Sequence, residues 1–192
     1  MTTIKKGKKN KVQIIGMGLC GVNIVDKLLY KNHKYRNNCI AIDTNREILK
    51  KYKNIKKKLL IGIGEGCLNS YDYAFSLAIK YQEKIEKAIK AKTLVIIGSS
   101  GATGWASSRY IINKYANNHK IYFIIQIAFK FEGKKRRNKV KELITFINRL
   151  PNIIVIKIDP NKIMKDIKWK KLSDILFHVD LKIVEVIHKI MK

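Results

Sequence analysis

The sequence predicts a doubly wound, mostly parallel α/β sheet of six strands with helices on both faces. Short apolar runs alternate with longer segments of helical periodicity, which is the order expected when a crossover helix follows each strand. The apolar runs lack the polar alternation of a sheet with one wet face, so both faces should be covered. At 192 residues the chain is long enough for one large domain with a sizeable core.

Six runs are predicted as buried strands because each is short and almost wholly apolar. In chain order they are VQII (12–15), CIAI (39–42), LLI (59–61), TLVII (93–97), IYFIIQI (121–127) and IIVIKI (153–158). Helical spacing of apolar residues predicts helices over 22–34, 70–91, 105–118, 134–149 and 172–191. Residues 1–10 are predicted to be a basic tail that precedes one domain over 11–192.

The chain is strongly basic, with 41 Lys and Arg against 14 Asp and Glu and a formal net charge of +27. A nucleic-acid or anionic-membrane partner would account for this charge. An AT-rich genome would also account for the charge, because Lys, Ile and Asn are abundant and all have AT-rich codons. The lysines are dispersed and no nucleic-acid-binding motif accompanies them, so we expect no specific nucleic-acid partner.

The cysteines and the lengths of the apolar runs indicate the cellular compartment of the protein. The three cysteines lack the spacing of a zinc site or a disulfide framework, and this favours a reducing cytoplasm. No apolar run reaches the length of a membrane span, so we expect no membrane insertion.

Glycines concentrate where three of the predicted strands end. They are Gly16, Gly18 and Gly21 after the first strand, Gly62, Gly64 and Gly66 after the third, and Gly98, Gly101 and Gly104 after the fourth. These ends share one edge of a parallel sheet, so the three loops indicate one ligand whose phosphates approach backbone N–H groups. Alternatively, each glycine serves only a tight strand-to-helix turn.

One nucleotide-binding hypothesis rests on the first loop alone. GMGLCG (16–21) fits the G-x-G-x-x-G pattern, and Asp43 stands where a ribose-binding acid is expected. This combination predicts an NAD-binding Rossmann oxidoreductase, although it leaves the other two glycine loops unexplained. The P-loop pattern GxxxxGK[ST] does not occur, which excludes that class of nucleotide site.

A second hypothesis accounts for motifs from Lys11 to about Lys189. The segments are GMGLCGVN (16–23), IDTNREIL (42–49), GIGEGCLNS (62–70), GSSGATGWAS (98–107), AFKFEGKKR (128–136) and a final helix that carries Asp180. In this order they resemble the loops of the FtsZ/tubulin superfamily, most closely those of the bacterial cell-division GTPases of the FtsZ type. The resemblance implies bound GTP or GDP, Mg²⁺ held through the phosphates, and a role at the septal ring in the bacterial cytoplasm.

The resemblance also implies which residues contact the nucleotide. Grouped by expected place, they are Gly16, Gly18, Leu19, Cys20 and Gly21 in the first loop, Gly64 and Gly66 in the third, Ser100, Gly101, Ala102, Thr103 and Gly104 around the phosphates, Glu132 and Arg136 at the ribose, and Asn23 and Asp180 at the guanine. A carboxylate suits guanine because it accepts from N1–H and the exocyclic amine together. We expect no catalytic residue and no protein-only metal site.

The sequence departs from the family pattern within two loops. Ser100, Ala102 and Ala106 replace glycines, and Trp105 replaces a threonine, so the indole is expected either to clash with the phosphates or to cover them. Glu65 replaces an alanine, where it would either help to bind magnesium or repel the phosphates.

The family's second domain is expected to be absent, and with it the acidic loop that activates water on a neighbouring subunit's GTP. We therefore expect negligible GTP hydrolysis by the chain alone. The expected partners are other FtsZ-like subunits or a separately encoded second half. The alternative is a scaffold with the same fold that no longer binds nucleotide.

Overall fold

The computed structural model describes residues 12–165 and 171–192, which build a six-stranded sheet with helices on both faces. The strands are β1 Val12–Met17, β2 Cys39–Asn45, β3 Lys57–Gly64, β4 Thr93–Gly98, β5 Lys120–Gln126 and β6 Ile153–Ile158. Their order is β3-β2-β1-β4-β5-β6, and every neighbouring pair is parallel. The chain changes direction across the sheet between β1 and β4, and ligands bind at such a switch point.

Eight α-helices connect and cover these strands within the described ranges. They are α1 Gly18–Lys31, α2 Arg46–Lys51, α3 Tyr71–Lys80, α4 Gln82–Ala88, α5 Ala102–Tyr115, α6 Lys134–Ile147, α7 Pro160–Lys165 and α8 Leu172–Met191. Single 3₁₀ turns occur at His33–Tyr35 and Lys130–Glu132. In this part of the chain, no helix is both long and apolar enough to cross a membrane.

Each face of the sheet has its own apolar core, because successive strand residues point to opposite faces. In β1, Ile14 packs with the core that includes α1 and α8, and Ile15 packs with the core that includes α3, α5 and α6. Both side chains are fully buried. This double coverage explains why the strands are apolar along their whole length.

The predicted fold class is confirmed, and all the predicted strands and helices are present. The helix predicted over 70–91 is interrupted at Tyr81, which separates α3 from α4. The helices α1 and α5 begin at Gly18 and Ala102, earlier than predicted, because a first turn tolerates the small residues that hide helical periodicity. The six-residue helices α2 and α7 are too short to show a period, and they were missed.

Gly16 and Gly98 were predicted to follow the first and fourth strands, but they lie within β1 and β4. A Cβ on Gly16 would come within 2.2 Å of the Gly21 carbonyl oxygen, and one on Gly21 would come within 2.7 Å of the Ile97 carbonyl oxygen. The two glycines therefore let α1 lie directly on β1 and β4. This contact sets the position of the first turn of α1 at the carboxyl edge of the sheet.

Gly16→Ala is expected to destabilise the protein by about 3 kcal/mol, because the backbone of α1 cannot yield to the added methyl group. Gly101→Ala is the control: its φ is −71° and the first contact of an added Cβ beyond its sequence neighbours is Ser99 Oγ at 3.8 Å. We expect it to cost about 1 kcal/mol or less, because alanine is a poorer N-cap residue than glycine. Urea unfolding measures both, and equal midpoints for the two variants would contradict the packing argument.

Candidate nucleotide site

A cavity of about 740 Å³ opens at the carboxyl edge of the sheet. It is lined by the first turns of α1 and α5, the ends of β2 and β5, the loop after β3, the segment from Phe129 to Arg136, and one face of α8. Its size lies within the range of small-molecule sites. The cavity also lies at the switch point, where this topology places ligands.

Two helix N-termini face this cavity without side-chain caps. The N-cap residue of α5 is Gly101 and that of α1 is Met17, and neither provides a side chain that accepts from the first-turn N–H groups. Such N–H groups carry partial positive charge and are available to an anion. Gly18 and Gly104 stand where the two helices meet, since a Cβ on Gly18 would lie 2.9 Å from the Gly104 nitrogen.

The Thr103 side chain is already engaged below this surface. Its hydroxyl lies 2.8 Å from Thr44 Oγ1 and 3.3 Å from Cys67 Sγ. These contacts tie α5 to the end of β2 and to the loop after β3. The backbone of the first turn of α5, rather than this hydroxyl, is therefore the part available to a ligand.

Glu132 and Arg136 form a pair on the β5–α6 side of the cavity. Arg136 Nη1 donates to Glu132 Oε1 at 2.6 Å, and the Phe129 backbone N–H donates to Glu132 Oε2 at 2.7 Å. The Ser100 hydroxyl reaches Glu132 Oε1 at 3.5 Å, which joins this pair to the loop before α5. Both side chains remain partly exposed, so they can exchange contacts with a ligand.

Asp180 of α8 lines the cavity at the end away from the Glu132–Arg136 pair, where α8 packs against α1. Its Oδ2 accepts from Asn23 Nδ2 at 2.7 Å and from Lys27 Nζ at 2.5 Å. Burial raises the pKa of the Asp180 carboxyl, and the donors Lys27 and Asn23 work against that rise. The sequence had singled out Asn23 and Asp180 but not Lys27, although Asn23 and Lys27 are one helical turn apart and share a face of α1.

Asp43 is one of the cavity-lining residues and has one carboxylate oxygen without a partner among the described residues. Its Oδ1 accepts from the Asn45 backbone N–H at 2.8 Å, whereas its buried Oδ2 has no partner among the described residues. The residue is only 2% exposed. Burial raises the pKa of this carboxyl to about 6.

The strong positive charge of the chain is not concentrated in this cavity. Its described walls carry the carboxylates of Asp43, Glu132 and Asp180 beside the cations Lys51 and Arg136. Burial also raises the pKa of the Cys20 thiol above its ordinary range, so this thiol stays neutral and donates to Gln126 Oε1 at 3.0 Å. An anion would therefore be attracted by the N–H groups of α1 and α5 more than by side-chain charge.

Trp105 neither blocks nor covers the cavity, contrary to both expectations. The residue is 2% exposed and its Nε1 donates to the Lys139 carbonyl of α6 at 2.7 Å. Its ring meets that of Tyr71 edge-on, with centroids 5.4 Å apart. The indole therefore packs α5 against α3 and α6, away from the ligand side.

The structure brings most of the predicted site residues to the cavity. Those that line it are Gly18, Leu19, Cys20, Asn23, Gly66, Ser100, Gly101, Ala102, Thr103, Gly104, Glu132, Arg136 and Asp180. Three do not: Gly16 and Gly21 pack α1 on the sheet, and Gly64 lies in β3 against the Arg46 side chain. The motif 42–49 pointed to the end of β2, but the contact of Thr44 with Thr103 was not predicted.

Glu65 is exposed and is not among the residues that line the cavity, although it pairs with Asn45, which does line it. Among the described residues, no group of three or more His, Cys, Asp or Glu side chains is placed to hold a metal ion. A Mg²⁺ ion would fit here through the phosphates of a bound nucleotide, with few protein ligands, which is its common mode of binding.

Asp43→Asn is expected to remove a pH-dependent loss of stability. The folded-state pKa of Asp43 lies above its unfolded value, so its contribution is complete below about pH 4 and is lost as the pH rises through about 6. The variant should therefore gain about 2 kcal/mol relative to the wild type between pH 4 and pH 7.5. Urea unfolding at both pH values measures this difference.

Asp72→Asn serves as the control, because Asp72 is an exposed acid in the first turn of α3. We expect no comparable growth of its stability difference with pH. A constant difference between Asp43→Asn and the wild type at both pH values would contradict the assignment of a buried, unpaired carboxyl.

The chain is similar to known proteins whose family matches the geometry of this cavity. A family model described as "Tubulin/FtsZ family, GTPase domain" matches residues 11–168, which is more than half of the chain. No curated protein matches the sequence.

Solved structures of the same fold are similar over nearly the whole chain. An empty FtsZ dimer from M. jannaschii has a TM-score of 0.82 at 22% identity and covers 95% of this chain and 54% of its own. The TubZ protein of Clostridium botulinum phage c-st gives 0.78 at 23% identity, covering 95% and 61%. The GDP-bound CetZ1 monomer from Haloferax volcanii gives 0.75 at 18% identity, covering 91% and 58%.

The chain thus spans little more than half the length of these solved proteins. At these identities the likeness shows the fold, and the family model carries the assignment. The chain belongs to the Tubulin/FtsZ family and matches its GTPase domain.

Proposed function

We propose that the chain binds GTP or GDP in the cavity at the carboxyl edge of the sheet. The observation that carries this proposal is the combination, within one cavity, of two uncapped helix N-termini and a buried carboxylate on α8. The first feature suits phosphates, and the second suits a base that presents N–H donors. The GTPase-domain family supports the same ligand.

The cavity offers a contact for each part of the nucleotide. The diphosphate lies against the first-turn N–H groups of α1 and α5, where a larger side chain on Gly101 would take its space. The ribose hydroxyls lie near Glu132 and Arg136, and the guanine lies beside Asn23 and Asp180. Guanine is preferred over adenine because N1 of guanine carries a proton that a carboxylate accepts, whereas N1 of adenine presents a lone pair.

We further propose that the protein acts in bacterial cell division, in the cytoplasm, with other FtsZ-like subunits or a separately encoded second half. The segment 128–136 supports an FtsZ-type role, while CetZ and TubZ share the same fold. Depletion of the protein in its source cell, followed by measurement of cell length, tests this role. Normal division after depletion would contradict it.

Two alternatives each have an observation in their favour. The occupied Oδ2 of Asp180 would suit a scaffold that no longer binds nucleotide. The unpaired Oδ2 of Asp43 at the end of β2 would suit the ribose of NAD.

Equilibrium binding of a fluorescent GTP with magnesium, competed by unlabelled GTP, ATP and NAD, separates these functions. Moderate salt is needed because a chain of net charge +27 attracts any polyphosphate. Selective displacement by GTP supports the proposal. Displacement by NAD alone supports the oxidoreductase, and no binding supports the scaffold.

Gly101→Asp is expected to weaken nucleotide binding strongly without weakening the fold. Asp is a favourable N-cap residue, so α5 should be as stable as in the wild type or slightly more so. Its carboxylate would occupy the place proposed for the phosphates, and we expect affinity for GTP to fall by about 30-fold or more, from repulsion and lost space.

Gly101→Asn is the matched control, since it has the same size and a similar capping ability without the charge. It should bind GTP more tightly than Gly101→Asp does. The fluorescent GTP assay and a thermal melt measure both variants. Equal affinities for the wild type and Gly101→Asp would place the phosphates elsewhere.

We expect the chain by itself to bind GTP without measurable multiple turnover. Phosphoryl transfer to water needs a positioned nucleophile in addition to a phosphate cradle, and the family resemblance implies that a neighbouring subunit supplies that part. Phosphate release from excess GTP measures this. Turnover well above that of the Gly101→Asp variant would contradict the expectation.

A further inference from the structure

The hydrogen bonds of Asp180 limit what its carboxylate can read. Each carboxylate oxygen accepts about two hydrogen bonds. The Oδ2 atom already accepts from Asn23 Nδ2 and Lys27 Nζ, whereas no described residue donates to Oδ1. Asp180 therefore offers one free oxygen to a base rather than two.

Lys27 is held firmly in this arrangement. Its ammonium lies 2.5 Å from Oδ2 and 5.1 Å from the centre of the Phe177 ring, so α8 contributes both an ion pair and a cation–π contact. The Asp180 side chain is only 6% exposed. Withdrawal of Lys27 would leave a buried carboxylate with a single donor, and unpairing a buried charge is strongly unfavourable. We therefore expect Lys27 to remain on Oδ2 when a nucleotide binds.

Guanine presents two donors to a carboxylate, the N1–H group and the exocyclic amine at C2. With only Oδ1 open, one of them has an acceptor and the other has none on Asp180. Hypoxanthine, the base of ITP, has the same N1–H and the same O6 but lacks the amine. Adenine has a lone pair at N1, which faces Oδ1 unfavourably.

We propose that Lys27 is a positioning residue that makes the site specific for 6-oxopurine nucleotides as a class, without selection for the exocyclic amine of guanine. This inference rests on the proposed nucleotide function. Lys27 acts by occupying the second acceptor of Asp180. GTP and ITP then bind with similar affinity, and ATP binds more weakly than either.

Calorimetric titration of the wild-type protein with unlabelled GTP, ITP and ATP, with magnesium, tests this directly. The three ligands have the same triphosphate and ribose, so the general attraction of a basic chain cancels in their ratios. We expect GTP and ITP to agree within about threefold, since no full hydrogen bond distinguishes them. A GTP affinity at least about tenfold above that of ITP would show that the amine is read and would overturn the inference.

Lys27→Met tests the cause. It removes the ammonium and keeps the length of the side chain, so Oδ2 regains an acceptor site for the amine. We expect the ratio of GTP to ITP affinity to rise to about tenfold, whatever the change in absolute affinity. Lys27→Arg retains a donor and should keep the ratio near that of the wild type.

Lys31→Met is the matched control, because Lys31 is an exposed lysine one turn further along α1. It should lower all affinities equally, if at all, and leave the ratio unchanged. A ratio that stays near one in Lys27→Met would contradict the role of Lys27. A folding defect in that variant would leave the wild-type ratio as the decisive measurement.

The two proposals fail in different ways. Absence of heat and of displacement with every nucleotide would overturn the nucleotide function and this inference together. Binding that favours GTP strongly over ITP in the wild type would leave the nucleotide function standing and overturn the role of Lys27 alone.

Discussion

The direct packing of α1 on β1 and β4 is the contact on which the site depends. Gly16 and Gly21 have no side chains, so the helix backbone lies against the strands themselves. The first turn of α1 is thereby brought against the first turn of α5, as the approach of Gly18 to Gly104 shows. The same placement turns Asn23 and Lys27 toward α8. A single backbone contact thus fixes both the proposed phosphate end and the proposed base end of the cavity.

The cavity stays open although the segment at the start of α5 carries the bulky Trp105, because this side chain lies on the side of α5 that faces α3 and α6. Trp105 is buried between α3 and α6, where its N–H group meets a backbone carbonyl. Ser100 approaches Glu132 and so connects the loop to the Glu132–Arg136 pair. These contacts leave the first turn of α5 facing the cavity. A further constraint on the cavity is the Asp180 Oδ2 atom, which already accepts from Asn23 and Lys27.

The sequence was sufficient for the fold class because a buried parallel sheet requires apolar strands, and β6 matched its predicted bounds at Ile153–Ile158. It was insufficient for the ends of helices where the apolar spacing continues past a helix end. One example is Tyr81, which separates α3 from α4 although the pattern predicts a single helix. Most of the predicted site residues line the cavity because motif order reflects strand order. Lys27 was missed because the motif that pointed to Asn23 ends at that residue, and Lys27 follows one helical turn later. The direction of the Trp105 side chain was also not predictable, because it depends on how α3, α5 and α6 pack together.

A crystal structure of the protein with GDP tests the central claim most directly. We expect the diphosphate to lie against the first-turn N–H groups of α5 and α1, and the guanine to lie beside Asp180 with Lys27 still bonded to Oδ2. Density for the nucleotide outside this cavity, or its absence from crystals grown with saturating GDP, would contradict the account.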